Sequence, residues 1–339
     1  MTLDPIQLTR RLIDIESITY NEGAVGAYLA EFLAGRNFAV ECTPVEQVES
    51  SNKGERFNVY AGTAGETPDV VLSTHMDTVP PFIPSSEDDL NIYGRGACDA
   101  KGIIAAQIAA AERLRDAGVK VGLLFVVGEE RDSGGAKLAN TLPKGNRFLI
   151  NGEPTDNRLA IASKGALRVL IRAKGKMAHS AYPELGESAI HKLVEALDRV
   201  LAIEMPATEG IGPGTLNIGL LEGGRATNVI ADHAEAQMLV RLVGPSEPVR
   251  KAIQDAVGDL AEVHFTLDLP FMRMRALDGL PTMVAAFTTD IPALSNWGEP
   301  VLLGPGSIHV AHTPYEKLAK QELWQAVDLY VQVGQRLVG

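Results

Sequence analysis

Apolar positions recur along this chain at two spacings, and the switches between them mark its elements. Over residues 4–15, Ile6, Leu8, Leu12, Ile13 and Ile15 fall at helical spacing, and 21–34 repeats the pattern with Val25, Tyr28, Leu29 and Phe32, so both predict surface helices. Residues 38–42 and 58–62 alternate as strands, while 70–74 is a denser apolar run that predicts a buried strand. The stretch 80–89, rich in Pro, Ser and Asp, predicts a loop. A helix over 103–117, a strand over 121–127, a helix near 135–140 and a strand over 148–150 follow. Alternation of this kind predicts the α/β class, with a mostly parallel sheet covered by helices on both faces.

The pattern changes near Lys164-Gly165. A strand over 166–173, a helix over 187–203, strands over 215–221 and 234–243, a helix over 246–260 and a strand over 262–267 give the order β-α-β-β-α-β, which predicts a ferredoxin-like α+β unit. The expected organisation is a first domain made of 1–163 and 270–339, interrupted by an inserted domain over 164–269. The last segment returns to the first domain and ends in a helix over 317–338. No internal repeat or low-complexity run is present.

Polar residues of one kind collect where these strands stop. His75-Met76-Asp77 ends the 70–74 run, Glu129-Glu130 ends the next, Glu153 follows Phe148-Leu149-Ile150-Asn151-Gly152, and His312 lies beyond the apolar run that starts at Val301. In Gly94-Arg95-Gly96-Ala97-Cys98-Asp99-Ala100-Lys101-Gly102, glycines bracket a single carboxylate, Asp99, just ahead of a helix. Alone, a glycine-flanked aspartate is an ordinary turn or helix cap. Strand-end and loop sites carrying only His, Asp and Glu change that reading, because loops at the carboxyl ends of parallel strands converge. The convergence predicts a metal site.

Composition narrows the partners. The 339 residues suffice for two domains with sizeable cores, and 45% hydrophobic with 22% charged residues describes an ordinary soluble globular protein. A formal net charge of −12 without a basic block argues against nucleic acid. No apolar run reaches the ~18 residues a membrane helix requires, and residues 1–18 are amphipathic and charged, unlike a signal peptide. Two cysteines, Cys42 and Cys98, make no disulfide framework. The expectation is a cytoplasmic protein that does not bind membranes. Cys98, although beside Asp99, reads as a small buried filler rather than a reactive thiol.

Taken in order, His75-Met76-Asp77, Gly94-Arg95-Gly96 with Asp99-Ala100-Lys101-Gly102, Glu129-Glu130, Gly152-Glu153-Pro154-Thr155 and Gly304-Pro305-Gly306 with His312-Thr313-Pro314 resemble the motifs of the dinuclear-zinc amidohydrolases and metallopeptidases. That family includes acetylornithine deacetylase, succinyl-diaminopimelate desuccinylase, carboxypeptidase G and aminoacylase. Each piece alone is weak; the ordered set, spread over nearly the whole chain, is specific. The resemblance implies two divalent metal ions, zinc first, with His75 and Glu153 on one, Glu130 and His312 on the other, and Asp99 bridging them. Such ligands also suit cobalt or manganese. It further implies Glu129 as the general base and Asp77 as a carboxylate that orients His75, since side chains two apart on a strand share a face. His179, in Gly175-Lys176-Met177-Ala178-His179-Ser180, resembles the inserted-domain histidine that reaches a partner subunit's site and stabilises an oxyanion. The inserted domain is accordingly expected to be a dimerisation lid, and the protein a homodimer. Asn228 and Arg241 resemble substrate contacts, the arginine as a fork for a carboxylate. Gly306 either brings backbone amides toward the substrate or serves only its turn.

Plainer readings stand beside these. Asp77 reads equally as a solvated turn residue, Glu129-Glu130 as an exposed acidic pair, His179 as a lone loop histidine and Arg241 as a strand-surface charge. His191, His233, His264 and His309 match no motif and read as structural or surface residues. Tyr315 and Ile103 stand where the family often has Asn and Gly, and neither departure removes a ligand. The expected activity is hydrolysis of the amide in a small N-acyl amino acid, of the acetylornithine or acetyl-lysine deacetylase type, by a water bridging two metal ions. Carboxypeptidase G-like cleavage of a short peptide and succinyl-diaminopimelate desuccinylase activity are alternatives. A binding protein on the same fold and a hydrolase built on Cys98 are more distant ones.

Overall fold

The computed structural model describes residues 3–46 and 55–339; Met1 and Thr2, at the head of the first amphipathic segment, lie outside the described residues. The chain divides into two compact units. One comprises Met1–Ile161, Met274–Met283 and Thr289–Gly339, and the other Ala162–Arg273 and Val284–Thr288.

The first unit is built on a sheet whose strands lie in the order Ala39–Pro44, Phe57–Gly62, Val121–Val126, Val70–His75, Phe148–Asn151, Glu299–Leu302 and Leu159–Ser163. The four strands from Val121–Val126 to Glu299–Leu302 run parallel, and antiparallel partners finish both sides. Every residue of Val70–His75, Val121–Val126 and Phe148–Asn151 is buried, which requires cover on both faces. Val70 and Leu72 pack with Ile103, Ile104 and Ile108 of the helix Lys101–Asp116 and with Val327, Tyr330 and Val333 of the helix Lys320–Val338. Val71, between them in sequence, packs the opposite way, with Leu124, Ala136, Leu294 and Trp297. The two-residue period of a strand thus appears directly in the packing. Helix Lys101–Asp116 is buried on almost every side, and its run of alanines favours helix while letting neighbours close in.

The closing helix starts at Lys320 rather than 317. Lys317–Ala319 instead pairs as a short strand with Asn91–Tyr93, and Ser86–Glu87, within the predicted 80–89 loop, pairs with the same strand. Long-range backbone pairing there prevails over local helical preference.

In the second unit, Gly165–Lys174, Ala189–Leu201, Thr215–Gly223, His233–Leu242, Glu247–Val257 and Glu262–Leu269 follow as strand, helix, strand, strand, helix, strand. Across the sheet the strands stand second, third, first, fourth, all antiparallel, which is the ferredoxin-like arrangement. Leu193, Leu197, Val200 and Ile253 of the helices meet Leu167, Val169, Ile171 and Val240 of the strands. With helices on one face only, burial alternates along His233–Leu242. Ser188 starts the first helix by accepting the His191 amide at 3.3 Å.

Candidate metal centre

The carboxyl edge of the parallel strands gathers the polar residues of the first unit. His75 is the last residue of its strand, Glu129 and Glu130 follow Val121–Val126, Glu153 lies just past Phe148–Asn151, His312 lies in the loop after Glu299–Leu302, and Asp99 immediately precedes the helix Lys101–Asp116. Gly128, with φ +82°, makes the turn that presents Glu129 and Glu130; a Cβ there would stand 2.6 Å from Nη2 of Arg56. Only glycine meets both conditions.

Asp99 is the centre of the arrangement. Its Oδ1 is 3.0 Å from Nε2 of His75 and its Oδ2 is 3.2 Å from Nε2 of His312, which in turn is 3.0 Å from Oε1 of Glu130. One donor atom from each of His75, Asp99 and Glu153 lies within 4.8 Å of the others, and the same holds for Asp99, Glu130 and His312. Two three-donor groups therefore share one carboxylate. Nδ1 of His75 is 3.0 Å from the Asp77 carbonyl oxygen; donating its proton there leaves Nε2 as the free donor atom facing Asp99.

The Asp77 carboxylate has a different job. Its Oδ1 stands 3.6 Å from Nδ1 of His75, too far for a good hydrogen bond. Instead it accepts the backbone amides of Gly128 (2.9 Å), Glu129 (3.1 Å) and Glu130 (3.2 Å) and the hydroxyl of Thr19 (2.9 Å). Asp77 thus orients His75 through its backbone and the Glu129-Glu130 turn through its side chain. It is fully buried, which rules out a solvated turn residue.

Electrostatics follow from this crowding. Burial raises the Asp99 carboxyl, but hydrogen bonds with His312 and His75 outweigh it and hold the group well below the usual range. Burial pushes Glu129 up, and the charge of Glu153 adds to it; burial likewise raises Glu153, and raises Glu130 against the opposing hydrogen bond from His312. His312 is pushed up to about 10 by its hydrogen bonds with Asp99 and Glu130. His75 is also raised, because Asp77 and Asp99 outweigh its burial. Oε1 of Glu153 is buried with no hydrogen-bond partner among the described residues. An excess of buried carboxylates over imidazoles, with one oxygen unpartnered, calls for cations to neutralise it. The donors are nitrogen and oxygen only, as zinc and its neighbours accept. The residues present fit a two-cation site.

Other sequence candidates lie elsewhere. His179 and Asn228 sit side by side in the second unit: His179 bridges to Val229, and the Ser180 amide donates to the Asn228 carbonyl at 3.0 Å. Arg241 lies near the far end of the strand His233–Leu242, opposite Ala166. The amide of Gly306 donates to Oε1 of Glu322 at 2.8 Å, and a Cβ at Gly306 would run into that of Cys98. That amide is therefore engaged, which favours the conformational reading of this glycine. Burial above all, then the charges of Glu316 and Asp99, push the Cys98 thiol far up, leaving no thiolate for a cysteine hydrolase. His191, His233, His264 and His309 belong to neither donor group.

Sequence reading missed three contributors. Asp290 is buried, its carboxyl pushed up to about 6 chiefly by burial, and its charge helps raise Glu129 and Glu153. Thr19 reaches Asp77 from a segment with no motif at all. Glu316, four residues after His312, holds the Asp99 loop, and its nearness to His312 in sequence was the one available signal.

Residues 71–336, which include all the donors, match the family described as "Peptidase family M20/M25/M40". A "probable carboxypeptidase" of Aspergillus terreus is 40% identical over 361 residues, covering 95% of this chain and 83% of its own. The crystal structure of a tripeptidase from Staphylococcus aureus matches with a TM-score of 0.82 at 22% identity, over 99% of this chain and 100% of that one. A dinuclear metal binding peptidase from Bacillus subtilis matches with a TM-score of 0.68 at 18% identity, over 98% of each. The chain is an enzyme of the metallo-exopeptidase and amidohydrolase class, and it belongs to peptidase family M20/M25/M40.

Proposed function

We propose that this enzyme uses two divalent cations to hydrolyse an amide bond next to a free carboxylate, at the C-terminus of a short peptide or in a small N-acyl amino acid. The observation that carries the reading is the pair of three-donor groups sharing Asp99. In it, His75 and Glu153 would hold one cation and Glu130 and His312 the other, with Asp99 available to each group. When bound, such a pair polarises an amide carbonyl and lowers the pKa of water toward neutrality. Glu129, beside Glu130 and with its carboxyl raised by burial, takes the proton of the attacking water and returns it to the leaving amine.

The substrate's carboxylate goes to Arg241. This guanidinium is half-buried, burial lowers its pKa, and the described residues offer it no ion pair. An arginine partly withdrawn from water without a carboxylate of its own is a ready fork for one. His179 is suited to the oxyanion. Its Nδ1 accepts the Ala181 amide at 3.1 Å, so the neutral ring carries its proton on Nε2, free to donate.

His179 and Arg241 serve sites of different subunits in this reading. His233 pairs with Lys174, just before the His179 loop, whereas Arg241 pairs with Ala166; the steps of strand between them span about 25 Å. A homodimer in which each copy lends His179 and Asn228 to the other would let a small substrate meet both groups. A surface for pairing exists: Thr215–Gly223 is an open sheet edge with Leu220 and Leu221 exposed, and the helix Ala189–Leu201 exposes Ile190, Val194 and Leu201. An unpaired edge beside an apolar helix face suits a second copy. No helix among the described residues is long and apolar enough to cross a membrane; two free cysteines suit the reducing cytoplasm.

The relative's name favours removal of a C-terminal residue over the acetylornithine and acetyl-lysine type of deacetylation, and nitrogen and oxygen donors suit zinc. The test is amine release by chelator-stripped protein titrated with zinc against peptides with varied C-terminal residues, N-acetyl amino acids and N-succinyl amino acids. Activity returning as two ions bind, on one substrate group, supports the reading and selects the branch. Zinc uptake with no cleavage of any group would overturn it in favour of a binding protein.

A further inference from the structure

We propose that Glu316 is a positioning residue of the metal centre, fixing the Asp99 loop against the His312 loop and so setting the spacing of the donor group Asp99, Glu130 and His312. The proposal rests on the two-cation reading above. Glu316 is buried, and its Oε1 accepts three backbone amides, from Gly96 (3.0 Å), Cys98 (3.2 Å) and Asp99 (3.2 Å). Its Oε2 accepts Nη1 of Arg95 at 2.7 Å. That nitrogen also donates to the Thr313 carbonyl at 3.2 Å, and the Gly94 amide donates to the Glu316 carbonyl at 3.2 Å. The two loops are thereby stitched together on both sides of the carboxylate.

Convergent amides on one oxygen form a nest that only an anionic or carbonyl acceptor satisfies. An apolar side chain at 316 would strand buried N–H groups, so the loop would rearrange to find other partners. Asp99 itself supplies the last amide of this nest, and His312 lies four residues before Glu316. Asp99 Oδ2 and His312 Nε2, now 3.2 Å apart, are held at that spacing by a side chain that touches no substrate and donates no ligand atom. His75 is placed independently, by its strand and by the Asp77 carbonyl, so the group containing His312 depends most on Glu316.

The test is zinc binding by competition with a chromogenic chelator, using the full chain stripped of metal, for wild type, Glu316→Gln, Glu316→Ala and His312→Ala. His312→Ala identifies which of the two affinities belongs to the His312 group. In Glu316→Gln that same affinity should fall about 10–100-fold, the range for partners that orient ligands, with the other changed less; Glu316→Ala should lose more than Gln, which keeps one acceptor oxygen. If Glu316→Ala does not fold, Glu316→Gln decides alone, with a cooperative thermal melt as its folding check. Wild-type affinities at both sites, or equal losses at both, would overturn the positioning role. Wild type binding fewer than two ions would instead sink the two-cation reading itself.

Discussion

Oδ1 of Asp77 accepts the backbone amide of Glu129 at 3.1 Å, so the proposed base is held by the strand that supplies His75. Three of the four groups that meet the Asp77 carboxylate are backbone amides, which cannot accept, and the fourth is the Thr19 hydroxyl. In Asp77→Asn, either orientation of the new amide turns its own hydrogens toward at least one of those backbone amides. The expected cost is about 2–3 kcal/mol of stability for the buried mismatch, read by urea denaturation, together with a fall in kcat as the Glu129-Glu130 turn shifts. Unchanged stability and kcat would show that the turn does not depend on this carboxylate.

Glu129 separates proton transfer from metal holding. It belongs to neither three-donor group, and its carboxyl is raised by burial and by the charge of Glu153. Glu129→Gln keeps the shape and removes the base. We expect kcat to fall roughly 10²–10⁴-fold, with zinc stoichiometry intact and the melting temperature equal or higher, because a costly buried acid has gone. A variant that loses zinc along with activity would make Glu129 a ligand instead.

Zinc uptake should be strongly pH-dependent. His312 is pushed up to about 10 by its hydrogen bonds with Asp99 and Glu130, so its imidazole holds a proton throughout the neutral range in the stripped protein; His75 is shifted in the same direction. The cation at His312 must displace that proton. The affinity for that ion should therefore rise by about tenfold per pH unit between pH 6 and 9, and titration calorimetry in buffers of different ionisation heat should show proton release. A pH-independent affinity would mean that the imidazole is already free.

How much of this was legible depends on whether a residue's partners lie close in sequence. Periodicity points to the alternating strands and helices, and His75, Glu130, Glu153 and His312 stand beyond apolar runs while Asp99 stands between glycines, but their grouping as one ligand set is what the family resemblance implies. Asp77 was legible as a polar neighbour of His75, but its grip on the turn at Gly128 depends on a strand crossover that no local pattern encodes. Asp290 and Thr19 act from segments whose sequence resembles ordinary loops. Lys317–Ala319 reads as helix because its preference is local, while its pairing with Asn91–Tyr93 links positions more than two hundred residues apart. Contacts of that kind are set by the fold, and only the fold reveals them.

The division of labour between subunits gives the most direct test of the assembly. If His179 acts on a partner's substrate, a His179→Ala chain retains its own Glu129 and a Glu129→Ala chain retains its own His179. In the mixed dimer, the site built on the first chain receives the second chain's histidine and is whole, while the other site lacks both groups. Equal mixing after dissociation and reassembly should restore roughly a quarter of wild-type activity, since half the dimers are mixed and each has one whole site. Leu221→Lys places a charge on the exposed edge strand Thr215–Gly223 and should abolish that recovery by blocking pairing, with sedimentation reporting a monomer. If instead both single variants stay inactive when mixed while native mass spectrometry confirms mixed dimers, His179 serves its own chain.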